Sequence, residues 1–175
     1  MKILKIVLYG ISGLIALFLV VAFFAPRQSV TSRTVSINAP QGKVFGFVNS
    51  TQKQYLWSPW KDGDPKMKNT FDGPETGVGN RNCWQGNDNV GVGCQTIMSV
   101  KDSSEVGTVI DFKQPFESRA DASIVLKATS PTVTAVTWSM KFKTPYPFNL
   151  FSILFDAVGP DFEKGLGRLK AVSEQ

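Results

Sequence analysis

The chain has 175 residues, with 19 Lys and Arg against 14 Asp and Glu, a net charge of +5, two cysteines and no histidine. The missing histidine removes Ser-His-Asp and Cys-His activation of a nucleophile and the commonest zinc ligand. Lys2, Lys5 and Arg27 flank an apolar run, and without them basic and acidic residues nearly balance, so the charge does not describe a nucleic-acid surface.

Ile6 to Ala25 carries no charge and would form a helix about 30 Å long, the thickness of a bilayer's hydrocarbon core. The run is longer than the apolar core of a signal peptide. A cut after Ala25 would put Phe23 and Pro26 at unfavourable positions, and Val20-Val21-Ala22 is a tolerable cleavage sequence, which keeps removal of the segment as the alternative. Residues 1–27 therefore read as a transmembrane anchor, with a membrane as the partner of residues 6–25. Lys2, Lys5 and the amino terminus outweigh Arg27, which points to a single pass through a bacterial inner membrane with the N-terminus cytoplasmic and the remainder periplasmic. Residues 28–32 read as a polar linker, and residues 33–175 have the length of one domain.

In that domain Arg33 to Ile37 alternates as a strand. Asn38-Ala39-Pro40 then opens a short helix whose apolar face is Val44, Phe47 and Val48. A second helical piece, Gln52 to Leu56, ends at Trp57-Ser58-Pro59-Trp60. These tryptophans suit the mouth of a cavity, a lipid interface or the core. Lys61 to Gly79 is mostly loop with an edge strand near Met67 to Phe71. Asp62-Gly63-Asp64 lacks the ligand series of a calcium site, which needs six or more oxygens, and reads as a turn.

From Asn80 onward the pattern is strand after strand: Asn80–Gln85, Val90–Val100, Glu105–Lys113, Phe116–Lys127 and Thr132–Lys143, an antiparallel meander. Phe148 to Val172 is helical in pattern, interrupted at Gly159-Pro160. Its stripe of Phe162, Leu166, Leu169 and Val172 must bury against the apolar face of the sheet.

If Gly86-Asn87-Asp88-Asn89 closes a hairpin centred between Asp88 and Asn89, Cys83 faces Cys94 and Trp84 faces Gly93. A cross-strand disulfide Cys83–Cys94 suits an oxidising compartment, the alternative being two buried thiols. Gly93 would leave room for the Trp84 indole. Alternation of period two then assigns Trp84, Ile97, Ile110, Phe112, Val136, Trp138 and Met140 to the inner, ligand-binding face, with Gln95 turned inward to orient a carbonyl or hydroxyl. Ser118, Ala120 and Ala122 share that face as small residues that leave volume for a ligand; ordinary core packing is the competing reading of the whole set. Asp111, Arg119 and Asp121 fall with Glu117 and Lys113 on the outer face as cross-strand charges. Gly77-Val78-Gly79 and Gly91-Val92-Gly93 do not open helices after strands, so neither is a phosphate loop. No catalytic residue, metal ligand or cofactor is assigned.

Several stretches carry a family resemblance in their order along the chain. They are Val35-Ser36-Ile37-Asn38-Ala39-Pro40 leading to Val44-Phe45; Trp57-Ser58-Pro59-Trp60 with Asp64-Pro65-Lys66-Met67; and Phe71-Asp72-Gly73-Pro74. Trp84-Gln85-Gly86 with Val90-Gly91-Val92-Gly93, Thr137-Trp138-Ser139-Met140 and Gly165-Leu166-Gly167-Arg168-Leu169-Lys170 follow. From Arg33 to Glu174 the chain resembles the START-like or SRPBCC superfamily, polyketide cyclase/dehydrase-like, in the bacterial branch with an N-terminal membrane helix. The resemblance implies an α+β helix-grip fold, a curved antiparallel sheet wrapped around a long C-terminal helix, with a cavity for apolar small molecules or lipids. Members range from binding and transfer proteins to cyclases, so activity does not follow. The leading expectation is a membrane-anchored domain that binds a hydrophobic small molecule or lipid. The alternatives are a cyclase/dehydrase-like enzyme with a pocket carboxylate or Tyr, and a structural or interaction module of the cell envelope. No protein partner follows from the sequence.

Overall fold

The computed structural model describes residues 2–156 and 158–175. They fall into two compact units, residues 2–29 with 143–156, and residues 30–142 with 158–175.

In the first unit α1, Lys2–Phe24, is long and apolar enough to cross a membrane, about 34 Å at 1.5 Å per residue. Its aliphatic side chains, among them Ile6, Leu8, Leu14 and Leu17, are exposed. Residues after Lys143 return beside it as a 3-10 turn, Phe148–Leu150, and one turn of helix, α4, Phe151–Leu154. Asn149 is fully buried and donates its Nδ2 to the carbonyls of Ala22 (2.8 Å) and Ala25 (2.9 Å). A helix end leaves its last carbonyls without partners, and this amide supplies them.

The second unit is built on a seven-stranded antiparallel sheet in the order β1-β7-β6-β5-β4-β3-β2. The strands are β1 (Gln28–Ile37), β2 (Lys68–Asp72), β3 (Arg81–Gln85), β4 (Val92–Lys101), β5 (Glu105–Gln114), β6 (Ser118–Ser130) and β7 (Val133–Lys143). Two short helices, α2 (Gln41–Val48) and α3 (Thr51–Trp57), lie between β1 and β2, and α5 (Gly159–Ser173) ends the chain. β7 shows the alternation most clearly: Thr134, Val136, Trp138 and Met140 are buried and the residues between them are half-exposed. On α5, Phe162, Leu166 and Leu169 form the buried stripe. Phe162 stacks on Trp138 with ring centroids 4.1 Å apart. Gly165 makes this approach possible, since a Cβ there would lie 2.8 Å from Trp138 Cζ3 and 3.2 Å from Pro59.

Most boundaries shift by three residues or fewer from the expectation, and two differ in kind. β1 starts at Gln28, so residues 28–32 are strand and not a linker; their backbone groups extend the ladder along β7 and their alternating burial continues that of Arg33 to Ile37. Gly159 and Pro160 do not break a helix but begin α5, where proline in the first turn loses no hydrogen bond.

Candidate functional site

A cavity of about 320 Å³ lies within the second unit. One wall is the inner face of the sheet: Trp84 from β3, Gln95 from β4, Ile110 and Phe112 from β5, and Trp138, Met140 and Phe142 from β7. The opposing wall comes from α3 and the turn after it, through Thr51, Gln54, Tyr55, Trp57, Ser58 and Trp60. The exposed residues Asp88, Asn89, Gln114 and Pro115 form its rim.

Backbone register explains the shape of the sheet wall. β3 and β4 pair Cys83 with Cys94 and Trp84 with Gly93. A Cβ on Gly93 would come within 2.6 Å of Trp84 Cζ2 and 2.7 Å of the Asp111 carbonyl. The indole therefore lies flat over a residue that has to be glycine, meets Phe112 edge-on at 5.9 Å and donates Nε1 to the Val90 carbonyl at 3.3 Å. Gly91 has φ +71°, and a Cβ there would collide with the Gln114 carbonyl, so glycine also lets the two turns of the rim close on each other. Gly93→Ala is expected to cost about 1–3 kcal/mol by overpacking and to shift the Trp84 fluorescence maximum; an unchanged spectrum and stability would remove this reading of the wall.

One corner is polar. Gln95 Nε2 donates to Gln54 Oε1 at 2.7 Å, and Gln54 Nε2 donates to the Val48 carbonyl at 2.6 Å. Asn82 is the cross-strand neighbour of Gln95. Thr51 Oγ1, Asn69 Oδ1 and Asn82 Oδ1, on three wall residues, are buried with no hydrogen-bond partner among the described residues. Tyr55 and Asp88 are the ionisable side chains of the lining, and Asp88 is at the rim.

The tryptophan turn is held from outside the cavity. Trp57 is buried, donates Nε1 to the Phe47 carbonyl at 3.1 Å and meets Trp138 edge-on at 5.2 Å; Trp60 meets the same ring at 5.6 Å. Arg168 on α5 donates to the Ser58 carbonyl at 2.9 Å and to Asp62, which also pairs with Lys164 at 2.6 Å. Arg168 first, then Lys164, lowers the Asp62 pKa from 3.8 to about 2. A depressed folded-state pKa gives stability that is present above the unfolded value and lost as pH falls through the folded one. Asp62→Asn is therefore expected to flatten the acid dependence of the urea midpoint between about pH 4 and pH 2, an effect that salt weakens because the group is exposed. A wild-type slope retained in the variant would discount the pair.

No protein-family model matches the chain, and no curated protein matches it significantly. Solved structures do. A protein from Nitrosospira multiformis is similar at 15% identity with a TM-score of 0.61, over 82% of this chain and 94% of that one. The Zhui aromatase/cyclase from a Streptomyces species is similar at 10% identity with a TM-score of 0.59, over 84% and 94%. Ara h 8.0201 is similar at 12% identity with a TM-score of 0.55, over 82% and 99%. The chain has the helix-grip fold of the START-like, or SRPBCC, proteins. At these identities the likeness is one of fold.

Within this helix-grip domain the structure brings six of the expected inner-face residues to the cavity: Trp84, Gln95, Ile110, Phe112, Trp138 and Met140. Ile97, Ser118, Ala120 and Ala122, expected on the same face, do not line it. Ile97 is fully buried in the packed core, beside the register shift between Ile97 and Ser99. Ser118 is the first residue of β6, next to the rim turn, and is exposed. Ala120 lies between Ile110 and Phe142, and Ala122 between Thr108 and Met140, so their small size gives room to larger cross-strand neighbours and not to a ligand. Val136 is likewise core.

Sequence reasoning missed the α3 wall, although Thr51, Gln54 and Tyr55 at i, i+3 and i+4 share a helix face. Trp57 and Trp60 belong both to the core cluster and to the cavity wall.

On the outer face, the cysteines of the paired positions are bonded, Cys83 to Cys94. Arg119 and Asp111 lie 3.8 Å apart there, largely exposed. Replacing both cysteines by serine is expected to cost about 2–4 kcal/mol, read from urea unfolding with and without reductant. Equal midpoints for the variant and the oxidised protein would show that the bridge adds nothing.

Proposed function

We propose that this helix-grip domain is a membrane-tethered binding module, which holds one apolar or amphipathic small molecule or lipid in its cavity without transforming it. The observation that carries the proposal is the hollow itself: about 320 Å³, walled mostly by aromatic and aliphatic side chains with a few convergent polar groups at one corner. That is the lower range of small-molecule sites, which are typically about 300–1,000 Å³. Apolar surface transferred there contributes about 25 cal/mol per Å².

The polar corner supports a preference among such ligands. Among the described residues the lining contains no Lys or Arg, so a carboxylate or phosphate buried there would lose hydration without a counter-charge. A hydroxyl or amide can instead bond to the uncharged polar side chains of the lining, among them Asn82, Asn69, Gln95 and Ser58. Asn amides offer donor or acceptor by turning over. The ligand is therefore an uncharged molecule with one hydrogen-bonding end.

The anchor, residues 1–27, is part of the same proposal. The length and apolarity of α1 support a membrane span, and Lys2 and Lys5 support a cytoplasmic N-terminus with the domain in the periplasm. Full-length protein incubated with a bacterial lipid extract and released from detergent in a native mass spectrometer should carry one adduct per chain, drawn from the neutral lipids. Spectra of bare protein at every lipid concentration would sink the binding proposal. Adducts of acidic lipids alone would sink the preference.

A further inference from the structure

Pro145 to Phe155 is an uncharged stretch between Lys143 and Asp156. Tyr146, Phe148, Phe151 and Phe155 are all exposed, with Phe148 and Phe155 at 60% and 64%. Bulky aromatics gathered in one short segment mark a surface that is not meant for water. We infer that residues 145–155 are a second membrane-contacting element, seated in the interfacial layer beside the last turns of α1, with the lipids of that leaflet covering its exposed aromatic rings. The inference rests on the reading of α1 as a membrane span.

Three features of the first unit carry it. The first is depth. The segment touches α1 at Phe18, whose ring lies 5.6 Å from that of Phe151, at Leu19, whose carbonyl accepts from the Tyr146 hydroxyl at 3.4 Å, and at Ala22 through Asn149. From Phe18 to the end of α1 at Phe24 is about 9 Å of helix. Interfacial segments bury their apolar faces about 5–10 Å into the boundary between headgroups and acyl chains, so the two depths coincide.

The second feature is that the segment is furnished for a medium poor in water, where backbone groups need internal partners. The Asn149 N–H donates to the Pro145 carbonyl at 3.1 Å and the Phe155 N–H to the Phe151 carbonyl at 2.9 Å. The Ser152 hydroxyl donates to the Asn149 carbonyl at 2.8 Å. Asn149 meanwhile satisfies the Ala22 and Ala25 carbonyls, which water would serve if this helix end stood clear of the interface.

The third is where charge and rings sit. Lys143 and Asp156 bracket the segment but do not enter it, and a tyrosine with three phenylalanines suits the wet boundary of a bilayer better than its centre.

The test uses the full chain in vesicles of phosphatidylcholine and phosphatidylglycerol. Cys83 and Cys94 are bonded, so single added cysteines take a thiol-reactive environment-sensitive dye selectively. Labels go to exposed positions through Phe148→Cys and Phe155→Cys, with Leu14→Cys in mid-helix and Val78→Cys on the other unit as references. Lipids spin-labelled near the headgroup should quench the dyes at 148 and 155 at least twofold more than the dye at 78, lipids spin-labelled at the chain end should quench the dye at 14, and aqueous iodide should reach the dye at 78 better than those at 148 and 155. Quenching at 14 together with iodide access at 148 and 155 equal to that at 78 would overturn the inference while leaving the anchor standing. No lipid quenching at 14 would overturn the anchor reading, and this inference with it.

Discussion

Trp138→Ala is expected to lower the unfolding free energy of the helix-grip domain by about 3–5 kcal/mol, the usual cost of emptying a buried aromatic site. The site is crowded by design of the sequence. Trp138 is 6% exposed, stacked against Phe162 and met edge-on by Trp57 and Trp60. Aromatic pairs contribute about 0.5–1.5 kcal/mol each beyond buried area, so one truncation removes several such terms together. Collapse cannot refill the hole easily, because Gly165 on α5 has no side chain to move into it. Urea unfolding of the full chain in detergent, followed by circular dichroism, gives the number. A loss below about 1 kcal/mol, typical of surface changes, would mean that this ring is not what joins α5 to the sheet.

Ile110→Trp is expected to weaken uptake of the lipid adduct at least tenfold, equivalent to about 1.4 kcal/mol. Ile110 is nearly buried on β5, opposite Gln95 on one neighbouring strand and Ala120 on the other, and it lines the cavity. The indole has one open direction, into the hollow, at a stability cost of about 1–3 kcal/mol for overpacking. Native mass spectrometry reads occupancy, and the unfolding curve shows that the domain is intact. Undiminished adduct on a folded variant would place the ligand elsewhere on the chain.

Strand alternation makes the sheet wall of this cavity legible in the sequence. Because successive side chains point to opposite faces, fixing the Gly86–Asn89 turn fixed Trp84 over Gly93 and sent Gln95, Ile110, Phe112, Trp138 and Met140 inward. Facing inward is not the same as lining a hollow. Ala120 and Ala122 face inward too, yet their cross-strand neighbours take up the space, and volume is decided by pairs of residues rather than by one side chain's size. The wall formed by Thr51, Gln54 and Tyr55 was hidden for a different reason. A seven-residue helix carries too few turns for periodicity to say which side meets the sheet, and that choice is made by packing against α2 and α5. The pattern from Phe148 reads as the start of a long helix, whereas the chain makes a 3-10 turn and one helical turn there, because composition reports greasiness without reporting whether the backbone turns back.

The position of β1 has a bearing on biogenesis. Every other pairing in the sheet joins strands that follow one another along the chain, and each can form as soon as its hairpin emerges. β1 alone needs β7, about a hundred residues downstream, for its hydrogen bonds. It is also the first strand made, directly after the apolar helix. A nascent chain therefore carries a bare, sticky ribbon throughout synthesis of the domain, and covers it only when the last strand arrives.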